Sequence, residues 1–326
     1  GPNAAQALGA MHAQIQLFDD TTVNGADGQP ITGAATPLPA KIRGAERVAA
    51  LGVVALAECA AGAAGLPPLP IVVCAPAPGD LGASENQLLD RLLIDGGRFF
   101  DRAHSRVIAR GKEGIGEAMT LVAQVLVQAR LPGCYLLGAD SLITPERLKK
   151  LAKEGRVVDG VESDGFIPGE AAAALLFVPR EDEWTLAVVA GLGHARETVA
   201  AGAPPTGKAI GEALDRALAE ARVPPNRVAA IAHDLSGRYS QFEELTLAAA
   251  RPPFARTASP RTVQVSITAG ETGAAAGALS LAALAFFLRE GVVTGSAAAL
   301  FTGEDTARGA AILVREEPRR DARMRR

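Results

Sequence analysis

His233 and Glu271 are the side chains in this chain best placed for acid–base work. His233 ends the apolar run 228–233, and Glu271 stands in Gly270-Glu271-Thr272-Gly273, where a helix begins. An imidazole titrates near neutral pH, and a carboxylate can accept a proton or orient that ring. If the two meet, the carboxylate charge is expected to raise the pKa of the ring. Each residue also has a plain structural reading: a histidine satisfied at a strand end, and an acid favoured by a helix dipole. The other histidines (His12, His104, His194) lie far apart and form no HxxxH pair, so no metal site is expected. The three cysteines (Cys59, Cys74, Cys134) are odd in number and lack CxxC spacing, which excludes a disulfide framework and points to a reducing compartment. Cys74 and Cys134 fall in apolar strands and read as inert core thiols.

Phosphate and nucleophile motifs are degenerate. Gly202-Ala203-Pro204-Pro205-Thr206-Gly207-Lys208 matches the first seven positions of a P-loop, but Ala209 stands where a magnesium-binding hydroxyl belongs. The two prolines also remove N–H groups that phosphates need. Gly191-x-Gly193 lacks the third glycine of a dinucleotide fingerprint, and there is no GxSxG elbow. No cofactor is expected.

The elements that must position these residues alternate. Helices are expected over 45–64, 84–100 (with Ser84 as N-cap), 113–129, from Thr144-Pro145-Glu146 onward, 207–221, 241–250 and 272–288. Strands are expected over 71–75, 106–109, 134–138, 171–178, 185–191, 228–233, 263–267, 297–301 and 310–314. Residues 1–44, rich in Gly, Pro and Thr, read as short strands and loops. A charged turn over 180–183 precedes the single Trp184, a surface-contact candidate. Arg147, Lys149, Lys150 and Lys153 read as a solvated helix face. Five arginines in residues 319–326 suggest a disordered tail. Strand–helix alternation predicts an α/β fold with helices on both faces of mixed sheets. At 326 residues and 48% hydrophobic content the chain can bury a large core. Its net charge of −3 offers no field for nucleic acid or membrane. The uncharged stretch 272–288 is short for a span and reads as a buried central helix. Gly1-Pro2 reads as a protease-cleavage scar, and no signal peptide is visible, so a cytoplasmic location is expected.

The two halves resemble each other. Gly114-x-Gly116-x-Ala118 opens a helix, and a strand follows that ends in Gly138-x-Asp140. Gly273-x-x-Ala276-Gly277 opens another, with a strand and then Gly303-x-Asp305. Small residues at both helix starts allow close approach, so the helices 113–129 and 272–288 are expected to pack together at the centre.

Three motifs carry a family resemblance. Gly138-Ala139-Asp140-Ser141-Leu142 is similar to a "GGADS" strand end, and Asp164-Gly165-Phe166-Ile167-Pro168-Gly169-Glu170-Ala171 to a "DGFVxGEGA" segment. Gly270-Glu271-Thr272-Gly273-Ala274-Ala275-Ala276-Gly277 is similar to "GHTxGAAG". In this order, and with the internal repeat, residues 45–315 resemble the β-ketoacyl-acyl-carrier-protein synthases of the thiolase-fold superfamily. The resemblance implies a thiolase-like fold of two pseudo-repeated halves in α-β-α-β-α layers. The halves would span 45–179 and 180–315, after N-terminal strands and loops (1–44) and before a basic tail (316–326). The usual first strand with its "GxGxxTPxG" turn is not recognisable.

The family's chemistry uses a cysteine that takes the acyl chain and two histidines that stabilise developing charge. Carried over by motif, the cysteine position falls on Gly111, the first histidine on His233 of His233-Asp234-Leu235-Ser236-Gly237, the second on Glu271, and the lysine on Ser266. The "GFGG" loop falls near Phe301-Thr302-Gly303-Glu304, where Glu304 and Asp305 add charge. Residues 107–119 hold no Cys, Ser or Thr. A helix start that would favour a thiolate therefore has no nucleophile. No intact catalytic set is expected, and Gly111, His233, Ser266 and Glu271 mark a vestigial pocket. The expectation leans away from an enzyme and toward a pseudoenzyme that binds a protein partner, as homodimer or with another chain, and retains a remnant acyl-carrier or acyl-CoA pocket. Degenerate chains of this kind, similar here in Asp234-Leu235-Ser236-Gly237 and Phe18-Asp19-Asp20, include some associated with type VI secretion genes, so an adaptor role in effector loading is implied. Two alternatives stay open: an acyl-thioester hydrolase or decarboxylase using His233 and Glu271, and the non-catalytic subunit of a ketosynthase heterodimer. In the family, the counterpart of strand 106–109 lies at a two-fold interface. Here Arg106 and Arg110 would meet across that axis unless an acid compensates.

Overall fold

The computed structural model describes residues 3–63, 65–96, 100–179, 185–199, 203–303 and 306–315. The turn 180–183, Trp184, Gly202, Glu304, Asp305 and the arginines of 319–326 lie outside them.

In chain order the first half comprises α1 (Ala4–His12), β1 (Asp19–Asn24), β2 (Pro30–Gly33), α2 (Gly44–Ala61), β3 (Ile71–Ala75), α3 (Pro78–Leu81), α4 (Glu85–Gly96), β4 (Arg106–Ala109), α5 (Gly114–Gln128), β5 (Cys134–Ser141), α6 (Pro145–Lys153) and β6 (Glu170–Phe177). The second comprises β7 (Val188–Arg196), α7 (Lys208–Ala221), β8 (Val228–His233), α8 (Tyr239–Ala249), β9 (Arg261–Gln264), α9 (Ser266–Ala269), α10 (Ala276–Arg289), β10 (Ser296–Phe301) and β11 (Ala307–Val314). Local chemistry explains several boundaries. Ser84 and Gln87 form a reciprocal capping box at the start of α4: Gln87 N–H donates to Ser84 Oγ (3.3 Å) and Ser84 N–H to Gln87 Oε1 (2.8 Å). In α6, Pro145 and Glu146 occupy the first turn, and Lys150 and Lys153 the last.

The first sheet runs β4-β3-β5-β6 and the second β7-β11-β10-β8-β9. In each, a parallel core (β3 with β4 and β5; β8 with β9 and β10) meets an antiparallel strand, β6 or β11. The halves are thus pseudo-repeats, layered α-β-α-β-α, with α2 and α4 outside one sheet and α7 outside the other. α10 is buried nearly all round and packs into one core with the start of α5. At the crossing, a Cβ added to Gly277 would sit 2.6 Å from Ile115 Cγ1. Only the N-terminal part of α5 is central, since Val127 near its far end is 76% exposed.

Some elements differ from their expected form. Residues 4–12 are helical, with Asn3 capping Gln6 N–H at 2.9 Å, and Leu8 joins the central core. The strand expected over 263–267 stops at Gln264, and Ser266–Ala269 turns helical. The strand expected over 185–191 starts at Val188 and runs on to Arg196. Gly193 and Gly191 in it serve packing, because a Cβ would lie 1.9 Å from Ala213 O and 2.2 Å from Ala217 O on α7. Gly207, the sixth residue of the P-loop-like run, is similarly pressed against α8, 2.5 Å from Ala248 N if a Cβ were added. Arg147 is not on a solvated face: its half-buried guanidinium points to Asp80 (3.6 Å) and Asp140 (3.8 Å).

Candidate functional site

Gly111 opens a single 3-10 turn, Gly111–Glu113, that feeds α5. Its φ of +62° favours glycine. The next residue, Lys112, turns inward and is 6% exposed. Its Nζ lies 2.5 Å from Glu271 Oε2, and both side chains are 4% exposed. Glu271 is held from every side. Its Oε1 accepts from Gly273 N–H at 2.7 Å. Its backbone N–H donates to Ile167 O, and its carbonyl accepts from Gly169 N–H, each at 2.8 Å. The segment 164–171 therefore clamps Glu271 through its backbone.

His233 ends β8 and is 3% exposed. Its ring meets Phe242 edge-on at 6.4 Å, and its Nδ1 is buried without a hydrogen-bond partner. No hydrogen bond or ion pair joins His233 to Glu271 among the described residues, and the imidazole is not raised as a carboxylate partner would make it. Burial pushes its pKa down, the Lys112 ammonium adds to the fall, and Asp234 opposes it. Glu271 has taken a cation as its partner, so the histidine feels the lysine. At neutral pH the ring is uncharged.

Ser266 donates to Leu235 O at 2.7 Å and accepts from Gln264 Nε2 at 3.0 Å. It ties the loop after His233 to the end of β9. Asp234 accepts from Thr302 N–H (2.9 Å) and Thr302 Oγ1 (2.6 Å), anchoring the end of β10. Asp140 accepts from Ala274 N–H at 3.0 Å, ahead of α10. Burial raises its pKa to about 6 against the nearby Arg147. Gly273 leaves room for that carboxylate, since a Cβ there would lie 2.1 Å from Asp140 Oδ2. The hydroxyls of Thr268 and Thr272 are buried without partners.

The structure thus brings Lys112, beside Gly111, to Glu271, and puts its charge within reach of His233. Ser266 faces the loop backbone. Lys112 escaped the sequence reading. It is one of four charged residues between 110 and 117, and nothing local sets it apart from Arg110, Glu113 and Glu117.

No thiol replaces the missing nucleophile. Burial pushes Cys74 and Cys134 to about 12 and Cys59 to about 11. Among the described residues no cluster of His, Cys, Asp or Glu could hold a metal ion, and no helix is long and apolar enough to cross a membrane. A groove of about 610 Å³ lies between the start of α2 and α4, lined by Arg43, Gly44, Gln87, Asp90, Arg91 and Ile94 among others. None of the vestigial set lines it.

No family model matches the sequence, and no curated protein does either. Solved structures do. The ishigamide ketosynthase/chain length factor superposes with TM-score 0.72 at 15% identity, covering 96% of this chain and 95% of that one. The ketosynthase AntDE, solved with the acyl-carrier protein AntF, gives 0.73 at 13%, covering 97% and 96%. A β-ketoacyl synthase from Burkholderia phymatum gives 0.67 at 13%, covering 95% and 94%. At such identities the likeness concerns the fold: this chain has the thiolase-like fold of ketosynthases and chain length factors.

Proposed function

We propose that the chain is a non-catalytic, ketosynthase-like protein that works by binding a protein partner in the cytoplasm. One observation carries the reading. Lys112 and Glu271 form a buried ion pair, and by the motif resemblance Lys112 follows the nucleophile position and Glu271 takes that of the second histidine. Acyl transfer needs a nucleophile and donors aimed at an oxyanion. Gly111 supplies no nucleophile, and Glu271 is a carboxylate already saturated by an ammonium and a backbone N–H. The hydrolase or decarboxylase alternative needs Glu271 free to act on a substrate or on His233, and the pair with Lys112 weighs against both. One similar structure being a ketosynthase/chain length factor, and another a ketosynthase in complex with its acyl-carrier protein, supports partner binding as the retained property.

The partner role has three forms: an accessory half of a ketosynthase-like heterodimer, a homodimer, or an adaptor in type VI effector loading. In each we take 45–179 and 180–315 as the two halves that jointly form the body. β4 supports the dimeric forms. It is the outer strand of its sheet. Arg110 is paired with Glu117 (3.2 Å), and the Arg106 guanidinium turns back to the Ser105 carbonyl (2.8 Å). Of the two cations that would face an axis, Arg110 thus carries its own counter-charge.

The test is turnover. Purified protein given acyl-CoA and malonyl-CoA is expected to hydrolyse and decarboxylate neither above the buffer rate. Turnover that disappears in His233→Ala or Glu271→Gln would overturn the reading.

A further inference from the structure

β7 is an outer strand of the second sheet, paired with β11 on one side only. Its run Val188-Val189-Ala190-Gly191-Leu192-Gly193 is apolar and uncharged. A bare edge of that composition is a template for another strand. At the middle of β7 the backbone groups facing away from β11 are those of Leu192 and His194. Leu192 N–H donates to Glu220 Oε2 at 2.7 Å, and His194 C=O accepts from the Arg216 guanidinium. Both side chains come from α7, the helix that follows β7 and lies over it.

The sequence of α7 explains how they reach the strand. Ala213, Ala217 and Ala221 form the face that presses on Gly191 and Gly193, and the two glycines let the helix come close. Arg216 and Glu220, four residues apart, stand together just beside that face. Both are exposed, and Arg216 is also met by Glu212 at 3.6 Å. The pair therefore runs past the helix and turns onto the edge of the strand.

An incoming antiparallel strand would exchange two hydrogen bonds with Leu192 and two with His194. At each residue one of the two groups is already taken, and a charged side chain lies where the new backbone would run. Two further features act in the same direction. Ile312 faces Gly191 and Leu313 faces Val189, so Ala190 is an extra residue, and a bulge of this kind bends an edge. Arg196, exposed at the end of the strand, adds a charge. β4, an outer strand of the first sheet, is less covered: Glu85 Oε1 meets the N–H of its last residue, Ala109, at 3.4 Å.

We propose that Arg216 and Glu220 guard the β7 edge against pairing with the β7 edge of a second copy of this chain. They replace the rungs of a ladder by side-chain hydrogen bonds. This inference rests on the second sheet alone and stands apart from the reading of the pocket.

The test compares Arg216→Ala/Glu220→Ala with the unaltered chain and with Arg216→Lys/Glu220→Gln, which retains a donor and an acceptor. Light scattering over a range of concentrations is combined with hydrogen exchange resolved to single amides. The amides of β11 report that the sheet is intact. In the unaltered chain the Leu192 amide is expected to be protected at every concentration. In the dilute alanine variant it should exchange about five- to tenfold faster, as loss of one hydrogen bond predicts. At high concentration the mass of that variant should exceed that of the unaltered chain, and Leu192 and His194 should become protected again. The Lys/Gln variant should follow the unaltered chain. Four results overturn the proposal: equal Leu192 exchange in the dilute alanine variant and the unaltered chain; no gain in mass at any concentration; association that leaves Leu192 and His194 unprotected; or renewed protection independent of concentration, which would mean that a segment of the same chain fills the edge.

Discussion

Lys112 Nζ and Glu271 Oε2 stand 2.5 Å apart, and both residues are buried, although they lie 159 residues apart in the sequence. A buried pair of this kind is stabilising only while both partners are present. Lys112→Met is expected to cost about 3–5 kcal/mol by leaving a buried carboxylate without its cation. The double variant Lys112→Met/Glu271→Gln should lose less than the sum of the single losses. Urea denaturation of the four proteins reads the coupling, and strict additivity would mean that the pair does not form.

The buried imidazole makes stability depend on pH with a definite sign. The folded-state pKa of His233 lies below 6.5, so its contribution is complete above the unfolded value and is lost as pH falls from there through the depressed value. Asp140 acts oppositely. Its carboxyl is raised from 3.8 to about 6, so its contribution is present below the unfolded value and lost as pH rises through about 6. His233→Gln should flatten the acid-side fall in thermal midpoint, and Asp140→Asn the loss on the approach to pH 6. An NMR-titrated His233 pKa above 6.5 would show that a neighbouring carboxylate outweighs burial of the ring.

Gly277 tests the central crossing. Gly277→Ala places a Cβ 2.6 Å from Ile115 Cγ1 and is expected to cost about 1–3 kcal/mol. Gly9→Ala, in α1 with nothing within 4 Å, should gain about 0.5–1 kcal/mol from helix propensity. Denaturant midpoints of the two variants should move in opposite directions. A neutral Gly277→Ala would mean that α5 and α10 pack less closely.

β4 should behave as an association edge. Light scattering is expected to give a dimer mass, and the amides of Arg106–Ala109 should exchange more slowly as concentration rises. A monomer with a fast-exchanging β4 would remove the homodimer form of the proposal.

Much of this architecture was legible because it is written in local pattern. β3, β4 and β8 have the ends their apolar runs suggested, and the helix expected over 272–288 is the buried central α10, which begins four residues later at Ala276 after a 3-10 turn. What escaped was set by distant contacts. Residues 4–12 have no marked hydrophobic stripe, and their helix is held by Leu8 in the core, by Glu58 on α2, and by His12 against Phe287. Gly191 and Gly193 looked like a broken cofactor motif because the helix that requires them lies about twenty residues away in sequence. In the site, His233 and Glu271 were singled out by the sequence, and the structure buries both. The partner of Glu271 was not singled out, because Lys112 and Glu271 are 159 residues apart and no local pattern joins them.

The central claim is that the pocket has exchanged its chemistry for an ion pair, and intact-mass spectrometry tests it most directly. Protein incubated with excess acyl-CoA, or with acylated carrier protein, is predicted to keep its unmodified mass, and Gly111→Cys is predicted to fail to restore acylation while Lys112 and Glu271 remain. A stoichiometric acyl adduct on any residue of the unaltered chain would contradict the account.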